Sequence, residues 1–184
     1  AAYHTFGDNN TVIGEQALSS AYYVFDNTAI GFFSLGLNAE GNGNVAVGTY
    51  SLFNNLSGYS NVSLGAKSLY YNNYQSNIVA IGDSALYYNG YSTVLPTDGQ
   101  SNTAIGSKAM FSNIGGNSNT AVGMRALYGN NGNNNTALGN LAMQSNSAGS
   151  NNTALGNLAM QTNSIGNFNT ALGAHASCGT NLYN

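Results

Sequence analysis

Residues 136–144 read TALGNLAMQ, and residues 153–161 read the same nine letters. The wider pattern is Asn, Thr or Val, a small residue, an aliphatic residue, Gly, two variable residues, a small residue, and Leu or Met. The residue after the Asn falls at Thr11, Thr28, Val45, Val62, Val79, Thr103, Thr120, Thr136, Thr153 and Thr170. The spacing is 17 residues except for one of 24 and one of 16. A fixed period of this length is typical of repeat folds.

We number the repeat positions 1 to 17 from that Thr or Val. Position 4 is Gly in every repeat, which predicts a backbone with positive φ or a close approach of another backbone. These predicted turn glycines are Gly14, Gly31, Gly48, Gly65, Gly82, Gly106, Gly123, Gly139, Gly156 and Gly173. Position 17 is Asn in most repeats, as at Asn27 and Asn44. Because Asn tolerates a left-handed backbone and can bond to its own copies, position 17 predicts an Asn ladder at a turn.

Positions 1 and 3 carry β-branched and aliphatic residues, as Val79 and Ile81 do, so they are expected on one face of a short strand. Position 2, on the opposite face, is mostly Ala, and position 8 adds a column of Leu and Met. Each repeat is therefore predicted to form a strand, a Gly turn, a second short strand and an Asn/Gly turn. A helical turn is the alternative, but the Asn, Gly and Ser residues of positions 10 to 17 oppose helices.

The predicted fold is an all-β parallel β-solenoid or β-roll of about ten 17-residue turns, stacked ~4.8 Å apart. It would span residues 11–177, between an N-terminal segment 1–10 and a C-terminal segment 178–184. A loop insertion at 91–100 explains the spacing of 24 and holds the single Pro. The Ala columns at positions 2 and 7 are expected to form a flat outer surface. Such a surface favours homo-oligomers, most readily a trimer.

Composition excludes several function classes. Only 5% of the 184 residues are charged, and three are basic, so neither nucleic acid nor an anionic membrane is an expected partner. Apolar runs reach four or five residues, far too few to insert into a membrane as a helix. In a stack each residue meets its own copy, so a charged column would repel itself. The solenoid thus explains the scarcity of charge.

Residues suited to catalysis are few and scattered. His4 and His175 lie at opposite ends of the predicted rod, and Cys178 is near the second His. A base and nucleophile also need an orienting group and a pocket, which a rod does not supply. No repeat contains the Gly-Gly-x-Gly-x-Asp pattern of calcium-binding β-rolls. We therefore expect no enzyme, no catalytic or metal site and no cofactor.

Two columns of side chains are candidate contact surfaces. Aromatic residues at positions 9 and 10 form a possible contact strip: Phe53, Tyr70, Tyr71, Tyr87, Tyr88, Phe111 and Tyr128. The strip either binds a sugar or a receptor, or its rings simply stabilise the stack or a seam between chains. Position 6 holds all three basic residues, Lys67, Lys108 and Arg125, as a possible basic edge. This edge either meets an anionic glycan or an acidic residue of another chain, or is only solvated.

Two segments carry a family resemblance. Residues 116–123 (GNSNTAVG) and 166–173 (GNFNTALG) resemble the Gly-x-x-Ser/Asn-x-Ala-Ile/Val-Gly repeats in the head domains of trimeric autotransporter adhesins. Similar repeats occur in phage tail fibres and large bacterial surface proteins. The resemblance implies a left-handed, usually trimeric β-roll that acts as a rigid adhesive or receptor-binding segment. The period of 17 residues departs from the shorter one usual in adhesin heads.

The leading hypothesis is a structural and adhesive fibre segment on an extracellular appendage or a virion. Its expected partners are further copies of itself and a cell-surface glycan or protein receptor. The alternative is a self-polymerising extracellular filament subunit, because an open solenoid end presents an unpaired strand edge. A sugar-active enzyme on a β-helix would need clustered carboxylates, which the sequence does not show.

Overall fold

The computed structural model describes residues 7–91 and 98–176, which contain ten short strands and no helix. Each strand takes up positions 1 to 3 of a repeat. The strands are β1 (Thr11–Ile13), β2 (Thr28–Ile30), β3 (Val45–Val47), β4 (Val62–Leu64), β5 (Val79–Ile81), β6 (Thr103–Ile105), β7 (Thr120–Val122), β8 (Thr136–Leu138), β9 (Thr153–Leu155) and β10 (Thr170–Leu172). They form one parallel sheet in chain order. The predicted all-β parallel β-solenoid is confirmed, with about nine turns between the first and last strands.

Equivalent residues of successive repeats lie opposite each other in the sheet. Thr11 pairs with Thr28 at one end and Thr153 with Thr170 at the other. The longer fifth repeat keeps this register, since Val79 pairs with Thr103. Residues 1–6, 92–97 and 177–184 lie outside the described residues. These ranges include parts of the predicted N-terminal segment and loop insertion, and the whole of the predicted C-terminal segment with Cys178.

The predicted second strand of each repeat does not form. Outside the ten strands, an isolated bridge joins two of the described residues, Asn54 and Tyr71. Positions 6 and 8 have left-handed backbones, with φ of 54° at Lys67 and 49° at Leu69. The two left-handed residues together cost ~2–4 kcal/mol, and burying the Leu side chain contributes ~1.5–3 kcal/mol. The hydrogen bond from the Leu69 N–H to the carbonyl oxygen of Ala85, at 2.8 Å, adds ~0.5–1.5 kcal/mol. Burial and this bond together offset the strain of a tight turn that carries Leu69 into the interior.

The Ala residues of positions 2 and 7 face the interior, so the prediction that they form an outer surface is wrong. Ala80 and Ala85 are both fully buried. In the narrow interior the hydroxyl oxygens of Ser51 (position 7) and Ser63 (position 2) lie 2.8 Å apart. Walls this close favour Ala or Ser, and the larger Val12, at position 2 of the first turn, is only partly buried. The larger residues of positions 1 and 3 therefore face outward, as Leu138 does with 45% of its surface exposed.

The predicted apolar column at position 8 is confirmed and forms the main hydrophobic core. Its fully buried members are Leu18, Leu35, Leu52, Leu69, Leu86, Met110, Leu127, Met143 and Met160. Each packs above the residue of the preceding turn because the turns stack in register. The core is therefore a single file of large side chains, with Ala and Ser on either side.

The predicted Asn ladder at position 17 is also confirmed. The backbone N–H of Asn61 donates to Oδ1 of Asn44, at 3.0 Å, and Nδ2 of Asn44 donates to the carbonyl oxygen of Gly58, at 2.9 Å. Ile78 interrupts the column but still donates its N–H to Oδ1 of Asn61. These side chains satisfy backbone groups that would otherwise be buried without a partner.

A second Asn ladder, at position 11, was not predicted. Nδ2 of Asn55 donates to Oδ1 of Asn38, at 2.7 Å, and also to the carbonyl oxygen of Gly58, at 2.8 Å. The same side-chain bond links each neighbouring pair along Asn38, Asn55, Asn72, Asn89, Asn113, Asn130 and Asn146. Both ladders thus converge on one carbonyl per turn. The buried edge of the solenoid is held by polar side chains.

The position-4 glycines lie where the backbone of one turn approaches the next. Their φ angles all lie between 118° and 140°. At Gly106 an added Cβ would lie 2.6 Å from the carbonyl oxygen of Gly123 in the next turn. Both the φ angle and the close approach require Gly at this position.

Candidate functional site

The position-9 rings of the predicted contact strip form a continuous stack. Ring centroids are 5.2 Å apart from Phe53 to Tyr70, 5.0 Å from Tyr70 to Tyr87, and 5.2 Å at the next two steps, to Phe111 and Tyr128. The planes of neighbouring rings differ by 5° to 30°. One ring per turn follows directly from the strand spacing of ~4.8 Å. The ring faces therefore cover one another along the stack.

The position-10 residues of the strip join the same cluster. Tyr71 and Tyr88 stack with centroids 5.7 Å apart and planes 8° apart. Each also meets the preceding residue edge to face, since Tyr71 lies 4.7 Å from Tyr70 and Tyr88 lies 4.6 Å from Tyr87. The structure thus brings together all seven residues of the predicted contact strip.

Further aromatic residues, which the sequence did not predict as part of the contact strip, extend the cluster. Phe33 and Tyr50, at position 6, stack on each other at 5.4 Å, and Tyr50 also lies 5.4 Å from Phe53. Tyr91 packs edge-on against Tyr71 at 4.5 Å. In an extended strand, residues three apart point to opposite faces. The left-handed backbone at positions 6 and 8 instead brings positions 6 and 9 to the same side.

The predicted basic edge belongs to this surface, because it occupies position 6 as Tyr50 does. The guanidinium carbon of Arg125 lies 5.8 Å from the centroid of the Tyr128 ring. Lys67 and Lys108 take the place of Tyr50 one and three turns further along the stack. We call this joint surface, formed by positions 6, 9 and 10 from Phe33 to Tyr128, the aromatic-basic face.

The phenols of the aromatic-basic face are neutral, and its cations have no ion-pair partner in the part of the chain that the structure describes. Burial raises the pKa of Tyr70, and the neighbouring phenols of Tyr71 and Tyr50 raise it further. Burial likewise raises the pKa of Tyr87. Their hydroxyl groups therefore stay protonated at neutral pH and can donate hydrogen bonds. Among the described residues, no carboxylate lies within ion-pair distance of the three basic side chains.

The outer surface of the sheet is a second candidate surface, which we call the sheet face. It consists of positions 1 and 3 of the ten strands, Thr or Val beside Ile, Val or Leu. Ile13, Leu64 and Ile105 are 59%, 42% and 37% exposed. Ten three-residue strands cover ~450 Å². Because position 1 is Thr in seven of them, the apolar part of this surface is the column of aliphatic residues at position 3.

Features of an enzyme site are not found in the part of the chain that the structure describes. Residues 7–91 and 98–176 contain no pocket and no group of three or more His, Cys, Asp or Glu side chains that could hold a metal ion. No helix in these ranges is long and apolar enough to cross a membrane. His175 is exposed on the last described turn, and Cys178 lies outside the described residues.

Comparison of the chain with models of protein families, with curated proteins and with solved structures finds no match. The aromatic-basic face and the sheet face are therefore the features from which a function is inferred. Each consists of a few columns of side chains repeated along the stack.

Proposed function

We propose that the chain is a non-enzymatic structural and adhesive segment of an extracellular appendage, a tail fibre or a surface adhesin, and that it mediates attachment. The observation that carries the proposal is the repetition of outward residues at one spacing, ~4.8 Å, along a stack of strands in register. A weak contact made at one turn recurs at the next, and linked contacts raise the overall affinity. The repeat resemblance to adhesin heads and tail fibres supports the same function.

The interior suits a segment that must stay straight. Every turn is tied to the next by backbone hydrogen bonds on several sides, such as Leu69 to Ala85 at 2.8 Å and Tyr71 to Tyr87 at 3.0 Å. Two Asn ladders add side-chain bonds between turns. Because bending would have to lengthen many of these bonds together, the stack resists it.

We further propose that the chain forms a homotrimer of left-handed rolls through the sheet face. The exposed aliphatic residues of position 3 support this contact, because association would remove them from water. The Ala columns cannot serve this purpose, since they are buried inside each roll.

A charged substitution tests the homotrimer. Ile105 on the sheet face and Ile114 elsewhere on the turn are each 37% exposed. Ile105→Lys is expected to lower the mass in solution to that of a monomer, whereas Ile114→Lys leaves the mass unchanged. Analytical ultracentrifugation measures both. A wild-type chain that is already monomeric contradicts the homotrimer.

The alternative is a self-polymerising extracellular filament assembled end to end. Each turn already pairs with a near copy of itself, and a turn from a second chain would bond through the same backbone groups. Electron microscopy distinguishes the two functions. Indefinite threads favour the filament, and discrete rods of one length favour the adhesive segment.

Attachment is tested with beads that carry the chain and are mixed with a panel of bacterial and animal cells. The double variant Tyr71→Ser with Tyr88→Ser removes two rings of the aromatic-basic face. The control, Tyr59→Ser with Tyr74→Ser, removes two exposed rings outside it. We expect beads to attach, the first variant to lose attachment and the second to keep it. Thermal melting checks that both variants fold. Failure to attach to any cell, or equal attachment by both variants, contradicts the proposal.

A further inference from the structure

The aromatic-basic face presents ring edges to solvent rather than ring faces. Its position-9 rings stack at 5.0 to 5.2 Å, so each ring covers the next. A sugar ring or a nucleobase that stacks on aromatic residues needs an open ring face. Within the column that mode of binding is blocked by the neighbouring turn.

What remains exposed is electrostatically positive. The edge of an aromatic ring carries the positive part of its quadrupole, and a protonated phenol donates a hydrogen bond. Lys67, Lys108 and Arg125 add three cations in the adjoining column. Asp83, in position 5 of the fifth turn, is the carboxylate that borders this face, and its Oδ1 accepts a bond from Ser84. The surface thus favours an oxygen-rich anion.

The arrangement of the cations matches a linear ligand. Lys67 and Lys108 lie two turns apart, and Arg125 follows one turn later, so the charges are spaced by ~10 and ~5 Å along the axis. The described residues form no pocket that would enclose a compact ligand. A repeating polymer can instead lie along the stack and place an anionic group beside each cation.

We propose that the aromatic-basic face binds a linear acidic polysaccharide, carboxylated or sulfated, that runs parallel to the solenoid axis. This inference rests on the proposed attachment function and names the chemical class of its ligand. The net charge of the chain is −3, so a polyanion must be held by this face against the overall charge. Hydrogen bonds from the phenols of Tyr70 and Tyr87 add to the three cations.

Binding is measured on the full chain with heparin and hyaluronate as sulfated and carboxylated probes and dextran as the neutral probe. We expect heparin or hyaluronate to bind and dextran not to bind. Binding should fall steeply between about 0.01 M and 1 M salt, where the screening length drops from ~30 to ~3 Å. Polyglutamate and oligo(dT) serve as an acidic peptide and a nucleic acid. Equal or tighter binding of either one overturns the choice of a polysaccharide.

Two triple variants distinguish the effect of the cations on this face from the effect of the net charge of the chain. Lys67→Gln, Lys108→Gln and Arg125→Gln together lower the net charge by three, and we expect a loss of affinity of about tenfold or more. Glutamates in place of the exposed Ser60, Asn134 and Asn151 lower it equally, away from the face. This second variant should bind nearly as the wild type does. Equal losses in both variants overturn the proposal.

A single substitution gives a result of opposite sign. Asp83→Asn removes the bordering carboxylate, so affinity for the acidic probe should rise. Unchanged or weaker binding contradicts the proposed site. If beads attach to cells but the chain binds neither heparin nor hyaluronate, only the proposed polysaccharide ligand is contradicted. Binding of a probe without attachment to cells would overturn only the attachment function.

Discussion

Replacing Gly106 by Ala would place a methyl group where the backbone of the next turn lies. Gly106 has a φ of 130°, and its added Cβ would lie 2.6 Å from the carbonyl oxygen of Gly123. Ordinary contact begins at 3.4 Å, so the turns would have to separate by about 0.8 Å. That shift would stretch the bond from the Gly123 N–H to the carbonyl oxygen of Ile105, now 2.8 Å, to about 3.6 Å, beyond hydrogen-bonding range.

The expected cost of Gly106→Ala follows from these two effects. Backbone strain at an unfavourable φ costs ~1–3 kcal/mol, and a buried backbone hydrogen bond that is lost costs ~1–3 kcal/mol. Gly106→Ala should therefore lower the free energy of unfolding by ~2–6 kcal/mol.

Two matched controls separate strain from contact. Gly43 has a φ of 65°, and the atom nearest its added Cβ is Oγ of Ser60, at 3.8 Å, so Gly43→Ala should cost only ~1–2 kcal/mol. Gly115 has no positive φ, and its nearest neighbour, Cβ of Asp98, is 3.9 Å away. Gly115→Ala should leave stability nearly unchanged. Urea denaturation followed by circular dichroism measures all three, and a Gly106→Ala variant as stable as Gly43→Ala would refute the close approach.

Three further substitutions or titrations test the interior and the aromatic-basic face. Asn113→Asp replaces amide donors that bond to two buried oxygens, so at pH 7 it should cost ~3–5 kcal/mol. Burial raises the folded-state pKa of this new carboxyl group, so the stability of the variant should recover as the pH falls towards ~4. The control Asn131→Asp, on the surface, should show no such recovery. Leu127→Ala, in the fully buried core column, should cost ~2–5 kcal/mol in thermal or urea unfolding. Tyr70 and Tyr87 have raised pKa values in the folded chain, so ultraviolet titration should show phenols that ionise late. Their contribution to stability is full below the unfolded pKa of ~10 and is lost as the pH rises through the folded pKa.

The repeat period was enough to predict the strands and their stacking. The spacing of 17 residues, together with the Gly at position 4 and the Asn at position 17, marks equivalent residues in each repeat. The three strand residues that lie between them pair in register in the sheet. The column at position 8 was predicted to be apolar and is fully buried. These features depend on what each repeat shares with its neighbours, which a sequence shows directly.

The direction in which columns face was harder to predict. Alternation along β5 assigns Val79 and Ile81 to one face and Ala80 to the other, but it does not say which face is inside. The narrow interior decides this, since Ser51 and Ser63 touch across it. The left-handed residues at positions 6 and 8 were likewise invisible to strand periodicity. These turns bring positions 6 and 9 together, which strand periodicity does not indicate. The contact strip and the basic edge were therefore predicted as separate columns.

Successive repeats lie one strand spacing apart, and both outer faces depend on this stacking. Distances between spin labels test it most directly, with Cys178→Ser as background and labels on exposed position-16 residues. Labels at Ser60 and Asn151, five turns apart, should lie ~24 Å apart, and labels at Asp26 and Asn151, seven turns apart, should lie ~34 Å apart. Narrow distributions at these two values would support the stack. Equal distances for the two pairs, or broad distributions, would contradict it.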